Sequence, residues 1–557
     1  MAFGCRKYLC ALTALLTVMG IAACGGGSNG GGWLNLVTAI TVTPANPALA
    51  KGRTQAFTAT ATWQDGSTLD MSTLVTWTSS NTSAASVSAT GVATAKGVGT
   101  TTITATFSGG LTVSGGPISG SASLTVTAPT LVAVAVTPAN PALELGANQS
   151  FAATGTLTDG TTQDLTQVAT WASSDAAVLR INNAVGRVGV GNTRGPGAAT
   201  VTATMGPVTG TTVATVTRRT PKFLYSASGS PDTVSAFRVD PATGALTGVG
   251  SPYGVGFFPT SVVATHDSKF LYVTVFTNNQ VVGFAIQPDG SLVPTPDSPL
   301  AVAGNPFWLT AHPSGNFVYA STQSAGITVL AVDPASGAPS IASSVATGGA
   351  PQDAALTPDG AYFYQTLSAL DQVAGFAIDG NSGALSALVP PGPTTATYPR
   401  GVAVDPAGKF LYVTIETSWL GPSTAVDAYS IDAASGALTR IPGAPFTAGV
   451  NPIAAVCDPS GRFLYVSNAD AQTISAFSID PDSGVLMEIA GSPFAVGGGP
   501  GMGIATVDPS DQYLYVATGS SGPGILGFSI DQATGALSPN PAASGAVSNV
   551  WSITITH

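Results

Sequence analysis

The sequence predicts an all-β chain: two β-sandwiches followed by a seven-bladed β-propeller closed by its C-terminal strand. Three observations predict it. The 557 residues include 67 Gly and 40 Pro, and no segment beyond the N-terminus keeps a 3.6-residue apolar period free of them, so short strands and tight turns replace helices. A unit of about ninety residues occurs twice in the first two-fifths of the chain. After it, a triplet of aromatic, apolar residue and Tyr recurs seven times, at intervals of 45 to 53 residues.

Charge excludes some functions. Charged residues make up 8% of the chain, against about 25% in ordinary soluble domains. The formal charge is −11, and removing the leader with Arg6 and Lys7 takes it to −13. Nucleic acid is excluded as a partner, because its phosphates need clustered Lys and Arg, and so is electrostatic docking on anionic lipid. Three of the four cysteines, Cys5, Cys10 and Cys24, lie in or at the end of the leader, which leaves Cys457 without a partner for a disulfide. A small buried hydrophobe on a strand is the expected role of Cys457.

The first residues read MAFGCRKYLCALTALLTVMGIAAC. Arg6 and Lys7 form a basic start, Leu9 to Ile21 an apolar stretch, and small residues precede Cys24, so 1–23 is expected to be a signal peptide. The ending resembles a bacterial lipobox. That resemblance implies an exported protein, acylated on Cys24 and anchored in the membrane of the cell envelope; Gly25 favours the outer membrane or cell surface. Residues 24–35 hold the tract GGGSNGGG, a flexible tether of the kind an anchored ectodomain needs.

The two sandwiches follow at 36–128 and 129–218. ITVTPANPALAKG, from Ile40, recurs as VAVTPANPALELG, from Val134, and the offset of 94 persists through Phe57 and Phe151 and through Trp77 and Trp171. Beyond the tryptophans the offset becomes 98, which places a four-residue insertion in a loop. Alternating Thr, Val and Ala strands around one mid-domain Trp suit a sandwich. The VTP…W(T/A)SS…G…T(I/V)TAT frame resembles the group 2 bacterial immunoglobulin-like domain. Thr and Ser are read as solvent-facing strand positions, and both copies as spacers.

The propeller is expected at 221–557. The triplets end at Tyr225, Tyr272, Tyr319, Tyr364, Tyr412, Tyr465 and Tyr515, and a second mark, from DPATGAL at 240 to DQATGAL at 531, recurs once per blade. A Pro, an apolar strand and a turn such as DPAG precede each later triplet. In order, strand A follows the Pro, strand B carries the triplet, strand C leads into the DPATG hairpin, and strand D lies outermost. Blade one lacks its own strand A, and Ser548–His557 (SNVWSITITH) supplies it beside Phe223–Tyr225. Closure removes the free sheet edges.

Strand-A starts and strand-B ends share one face, the funnel. Arg400 and Glu416 stand at those two places in blade five, within YPRGVAVDPAGKFLYVTIET, and Glu416 is one of only three glutamates in the chain. Trp308, Asp353 and Trp551 start other strands A, and Trp419 lies in the long loop after Glu416. The repeated Asp-Pro turns are read as turn chemistry, and His266 and His312 lie on the opposite face. No metal set can be assembled, and no cofactor is called for.

The KFLYVxN-like strands and xIDPxTGxL hairpins resemble the lactonase-like propellers, the group of 6-phosphogluconolactonase and the YVTN surface-protein repeats. The family commonly carries P-R-H on this strand A and N-E-L after strand B. Pro399-Arg400 and Glu416 match, whereas Gly401 stands where the histidine would be, and Pro351-Gln352-Asp353 stands where relatives carry Pro-His. The resemblance implies catalysis by Arg400 and Glu416, without the family's histidines. The sequence therefore favours a monomeric, surface-anchored binding or adhesion lipoprotein. Its funnel would take a glycan, lactone or protein ligand through Trp308, Asp353, Arg400, Glu416, Trp419 and Trp551. A lactonase-like hydrolase of a sugar lactone is the alternative.

Overall fold

A tryptophan anchors each sandwich in the same way. Trp77 and Trp171 are buried, and their indole N–H groups donate to the carbonyls of Ser72 (2.9 Å) and Thr166 (3.0 Å). The structure is a computed structural model. It describes residues 36–557 apart from 110, 111, 114, 185, 390, 391, 417–422, 497–502 and 520–523. In the first sandwich, Val37–Thr43, Thr58–Trp63 and Thr68–Asp70 form one sheet. Ala48–Ala50, Ile118–Thr127, Gly99–Phe107 and Thr76–Ser79 form a second, and a small third sheet completes the domain. The second sandwich repeats this strand order. Along Ile118–Thr127 the apolar residues turn inward and the Ser and Thr outward, as a strand buried on one face requires.

The four-residue insertion falls between Leu179–Ile181 and Val190–Thr193 of the second sandwich, and it brings Arg187. The Arg187 guanidinium donates to the carbonyls of Ala407 (2.7 Å) and Gly408 (2.6 Å) in the A–B turn of blade five. Arg194 donates to the carbonyl of Gly461 (3.1 Å) in the same turn of blade six, and Arg180 pairs with Asp482. The equivalents of Arg180 and Arg194 in the first copy are Ser86 and Lys96. The second sandwich is thus joined to the propeller, and Ala133–Gly155 with Thr162–His557 form one compact unit.

The propeller has seven four-stranded blades, four of them with a further short strand beside strand C. In blade one, Val550–Ile555 pairs antiparallel with Phe223–Ser228, Leu224 opposite Ile555 and Tyr225 opposite Thr554. The C-terminal strand therefore closes the ring.

Both repeat marks belong to a single contact. The hydroxyl of Tyr225 donates to the carbonyl of Gly290 (3.0 Å), in the C–D turn of the next blade. Tyr272 does the same to Gly337, Tyr319 to Gly383, Tyr364 to Gly436, Tyr412 to Gly484 and Tyr465 to Gly535. Tyr515 completes the circle by donating to Gly244 of blade one (2.8 Å). The first aromatic of each triplet lies over the same glycine: a Cβ on Gly484 would come within 2.5 Å of the Phe410 ring, and its φ of +72° already favours glycine. The turn Asp holds the loop. Asp480 Oδ1 accepts the Ser483 hydroxyl (2.7 Å) and the N–H groups of Ser483 (2.8 Å) and Asp482 (3.1 Å), and these bonds, the hydroxyl's first, hold its carboxyl below the usual range.

Cys457 is free and ends strand A of blade six, Pro452–Cys457. It packs on its strand against the core of blades five and six, half-buried where the sequence suggested a buried hydrophobe.

The phenol bonds carry a checkable consequence. Tyr412→Phe leaves the buried Gly484 carbonyl without its donor, and the propeller's denaturant unfolding transition is expected to lose about 1–3 kcal/mol.

Candidate functional site

Strands A of blades two to six start with the same local geometry. The residue before the strand-A Pro is left-handed at Phe258, Asn305, Ala350, Tyr398 and Asn451, with φ between 43° and 62°. Such backbone persists only where the surroundings impose it. Its carbonyl accepts an N–H from the end of strand B: Tyr398 from Glu416 at 3.0 Å, Asn451 from Ala469 at 2.8 Å. A bulge follows, Pro399 facing Ile415 and Val402 facing Val413. The Gly401 N–H within the bulge is taken by Thr414 Oγ1 at 2.8 Å. Bulge and left-handed turn together set Arg400 and Glu416 beside each other at one end of the blade.

These starts surround a cavity of about 250 Å³, close to the lower end of the range for small-molecule sites. Trp308, Asp353, Arg400, Glu416 and Trp551 all line it, with Gln352 and Asn451 among the other polar groups. Trp419 and Cys24 lie outside the described residues. Arg400 and Glu416 form an ion pair on the wall, the Glu416 side chain 10% exposed and that of Arg400 32%. The aromatic residues lie on the side of blades one to three, where Trp551, Phe258, Phe276 and Phe307 contact one another edge to face at centroid separations of 5.5 to 6.2 Å. The charged residues lie on the side of blades four and five.

Asp353 starts strand A of blade four, Pro351–Leu356. Its Oδ1 accepts the Ala354 N–H (2.7 Å), and its Oδ2 reaches across to the Val402 N–H of blade five (3.0 Å). Burial pushes its pKa up to about 7, against the opposing pull of those two bonds and the Arg400 charge.

Gly401 explains the missing histidine. A Cβ there would lie 2.7 Å from Ala454 Cα and 2.8 Å from the Ile453 carbonyl, so strands A of blades five and six pack backbone to backbone. The other histidines are remote from the cavity. The His266 and His557 rings meet edge to face at 5.8 Å, and burial and Arg219 lower both, His557 to about 4. His312 bonds Ser314 and the Gly360 carbonyl in the A–B turns. Among the described residues no group of His, Cys, Asp and Glu could hold a metal ion.

Sequence reasoning missed Asn451. It is buried, lines the cavity and has φ +59°; the Asn-Pro at a blade start was the available signal, since Asn tolerates this conformation. Among the described residues, Asn451 Oδ1 and Trp551 Nε1 have no hydrogen-bond partner.

Fold and site define a seven-bladed propeller with an amphipathic central cavity, preceded in the sequence by immunoglobulin-like sandwiches. Residues 36–113 match the family model of the bacterial Ig-like domain (group 2). Residues 301–551 match, in four overlapping stretches, that of the lactonase, 7-bladed beta-propeller. The chain thus combines a group 2 bacterial Ig-like domain with a lactonase-type propeller region. It is 38% identical over 154 residues to ice-binding protein 1 of Shewanella frigidimarina, covering 28% of this chain and 16% of that one. It is 28% identical over 196 residues to a 6-phosphogluconolactonase of Sodalis glossinidius, covering 33% of this chain and 56% of that one. The chain therefore spans a small part of one curated relative and about half of the other. The periplasmic gluconolactonase structure of Pseudomonas aeruginosa matches 60% of this chain and 99% of its own, with a TM-score of 0.50 and 19% identity, a likeness of fold.

Restoring the histidine by substitution is expected to fail. Gly401→His should destabilise the propeller by about 1–3 kcal/mol through overpacking, read as a lower melting temperature with no gain in activity on any lactone.

Proposed function

We propose that the propeller is a lactonase-type hydrolase acting on a small sugar lactone, in a protein exported and lipid-anchored in the cell envelope. The observation that carries the reading is the Arg400–Glu416 pair on the wall of a cavity that also holds Asp353. Lactone opening by water needs a cation or N–H donors where the carbonyl oxygen gathers charge. Arg400 supplies the cation and Glu416 fixes its position. Trp308 and Trp551 give a sugar ring apolar faces, and Gln352 and Asn451 add polar groups to the same lining. The likeness to the Sodalis 6-phosphogluconolactonase and the Pseudomonas gluconolactonase supports the same class.

An unphosphorylated lactone suits the cavity better than a phosphorylated one. Arg400 is the one cation in its described lining, and Glu416 already neutralises it. A second reading, binding at the cell surface, draws support from the ice-binding relative.

Glucono-1,5-lactone and 6-phosphogluconolactone are the substrates to assay with the full chain. Turnover of the neutral lactone is expected, with Arg400→Ala slower by about 10²–10³-fold. Absence of turnover on every lactone would leave surface binding as the reading.

The anchor rests on the lipobox at Cys24. Radiolabelled palmitate should enter the wild-type protein in a bacterial host and be lost in Cys24→Ser; equal labelling of both would remove the anchor.

A further inference from the structure

We infer that Asp353 is the proton carrier of this cavity, taking the proton of the attacking water and returning it to the ring oxygen of the lactone. The inference rests on the hydrolase reading and adds the group it lacks. Arg400 cannot accept a proton, because a guanidinium stays charged at any working pH. Glu416 is committed to Arg400, and protonating it would leave that cation unpaired beside the substrate. Histidine cannot reach the site from blade five, since Gly401 has no room for a Cβ.

The repeat itself shows that the charge on Asp353 is not needed for structure. The second residue after the start of strand A makes the same latch in three blades. Ser552 Oγ accepts the Val262 N–H of the next blade (3.1 Å), and Ser261 Oγ accepts that of Leu309 (3.2 Å). Asp353 Oδ2 accepts that of Val402 (3.0 Å). A hydroxyl therefore suffices to join blades at this position. Placing a carboxyl there sets an ionisable group in the half-buried wall of the cavity, where its charged form is costly.

Its surroundings suit proton transfer. The two backbone N–H bonds use two of roughly four lone-pair positions on a carboxylate, and the side chain lines the cavity with the others to spare. Arg400 and Glu416 are the other charged groups in the described lining, and they neutralise each other. Burial against these N–H bonds poises the carboxyl near neutrality, at about 7, where a general base and acid work best.

The step balances with water as the sole co-reactant. Water oxygen bonds to the lactone carbonyl carbon while Asp353 takes a water proton, and the oxyanion forms against Arg400. Collapse breaks the bond from that carbon to the ring oxygen. Asp353 returns its proton to the ring oxygen, leaving an open-chain hydroxy acid.

Asp353→Ser in the full chain is the test, because it installs the latch used by Ser261 and Ser552. We expect a 10²–10⁴-fold fall in kcat with the melting temperature kept. In the wild type, kcat/KM should rise with pH through about 7 as the base ionises, and the variant should lose that limb. Asp353→Asn provides a second variant should the serine fold poorly, and Asp353→Glu should recover part of the rate. Wild-type turnover and an unchanged pH profile in Asp353→Ser, with Arg400→Ala inactive, would reduce Asp353 to a latch and leave the hydrolase intact. A wild type without activity on any lactone would instead overturn the hydrolase reading, and the proton carrier with it.

Discussion

Seven buried phenols, each donating to a glycine carbonyl of the next blade, are the contact on which the ring depends. A blade of this size cannot bury both faces of its sheet alone. Burial raises the phenol pKa values, as for Tyr412 and Tyr465, so the donors stay protonated. The turn Asp that shapes the glycine loop, the aromatic over the glycine and the phenol beneath it act together across a blade boundary. The last of the seven, from Tyr515 to Gly244, joins the two ends of the propeller sequence as the C-terminal strand does.

Because that contact lies among the C–D turns, the starts of the strands A are free of it. In blades two to six they repeat in backbone, through the left-handed residue and the bulge, while their side chains differ from blade to blade. Aromatic rings lie on the side of blades one to three, carboxyls and a guanidinium on that of blades four and five. A uniform scaffold with a non-uniform inner ring is how a repeat protein acquires a specific site.

The blade count, the closing strand and the pairing of Arg400 with Glu416 were legible because each follows from the phase of a regular repeat. The tyrosine–glycine bonds were not, since they join positions 64 to 72 residues apart within the ring, and the two marks read as separate signals. Gly401 showed in the sequence only as a lost histidine; the close approach of Ala454 that forbids it is a property of packing. The near-neutral carboxyl of Asp353 likewise depends on burial, which a letter in a sequence does not carry. The insertion in the second sandwich was visible as a change of offset, but its purpose was hidden until Arg187 met two carbonyls of blade five.

That junction bears on the site from behind. Arg187, Arg194 and Arg180 fasten the turns of blades five and six, the two blades whose strands A pack at Gly401 without room for a side chain. A backbone contact this close cannot be adjusted by rotamers, so any separation of the blades would move Arg400 and Asn451 apart directly. A site that stabilises charge needs its groups held within about half an ångström. The second sandwich therefore reads as the outer brace of the wall that carries Arg400 and Glu416, which gives the second copy a physical reason to have acquired arginines that the first copy lacks.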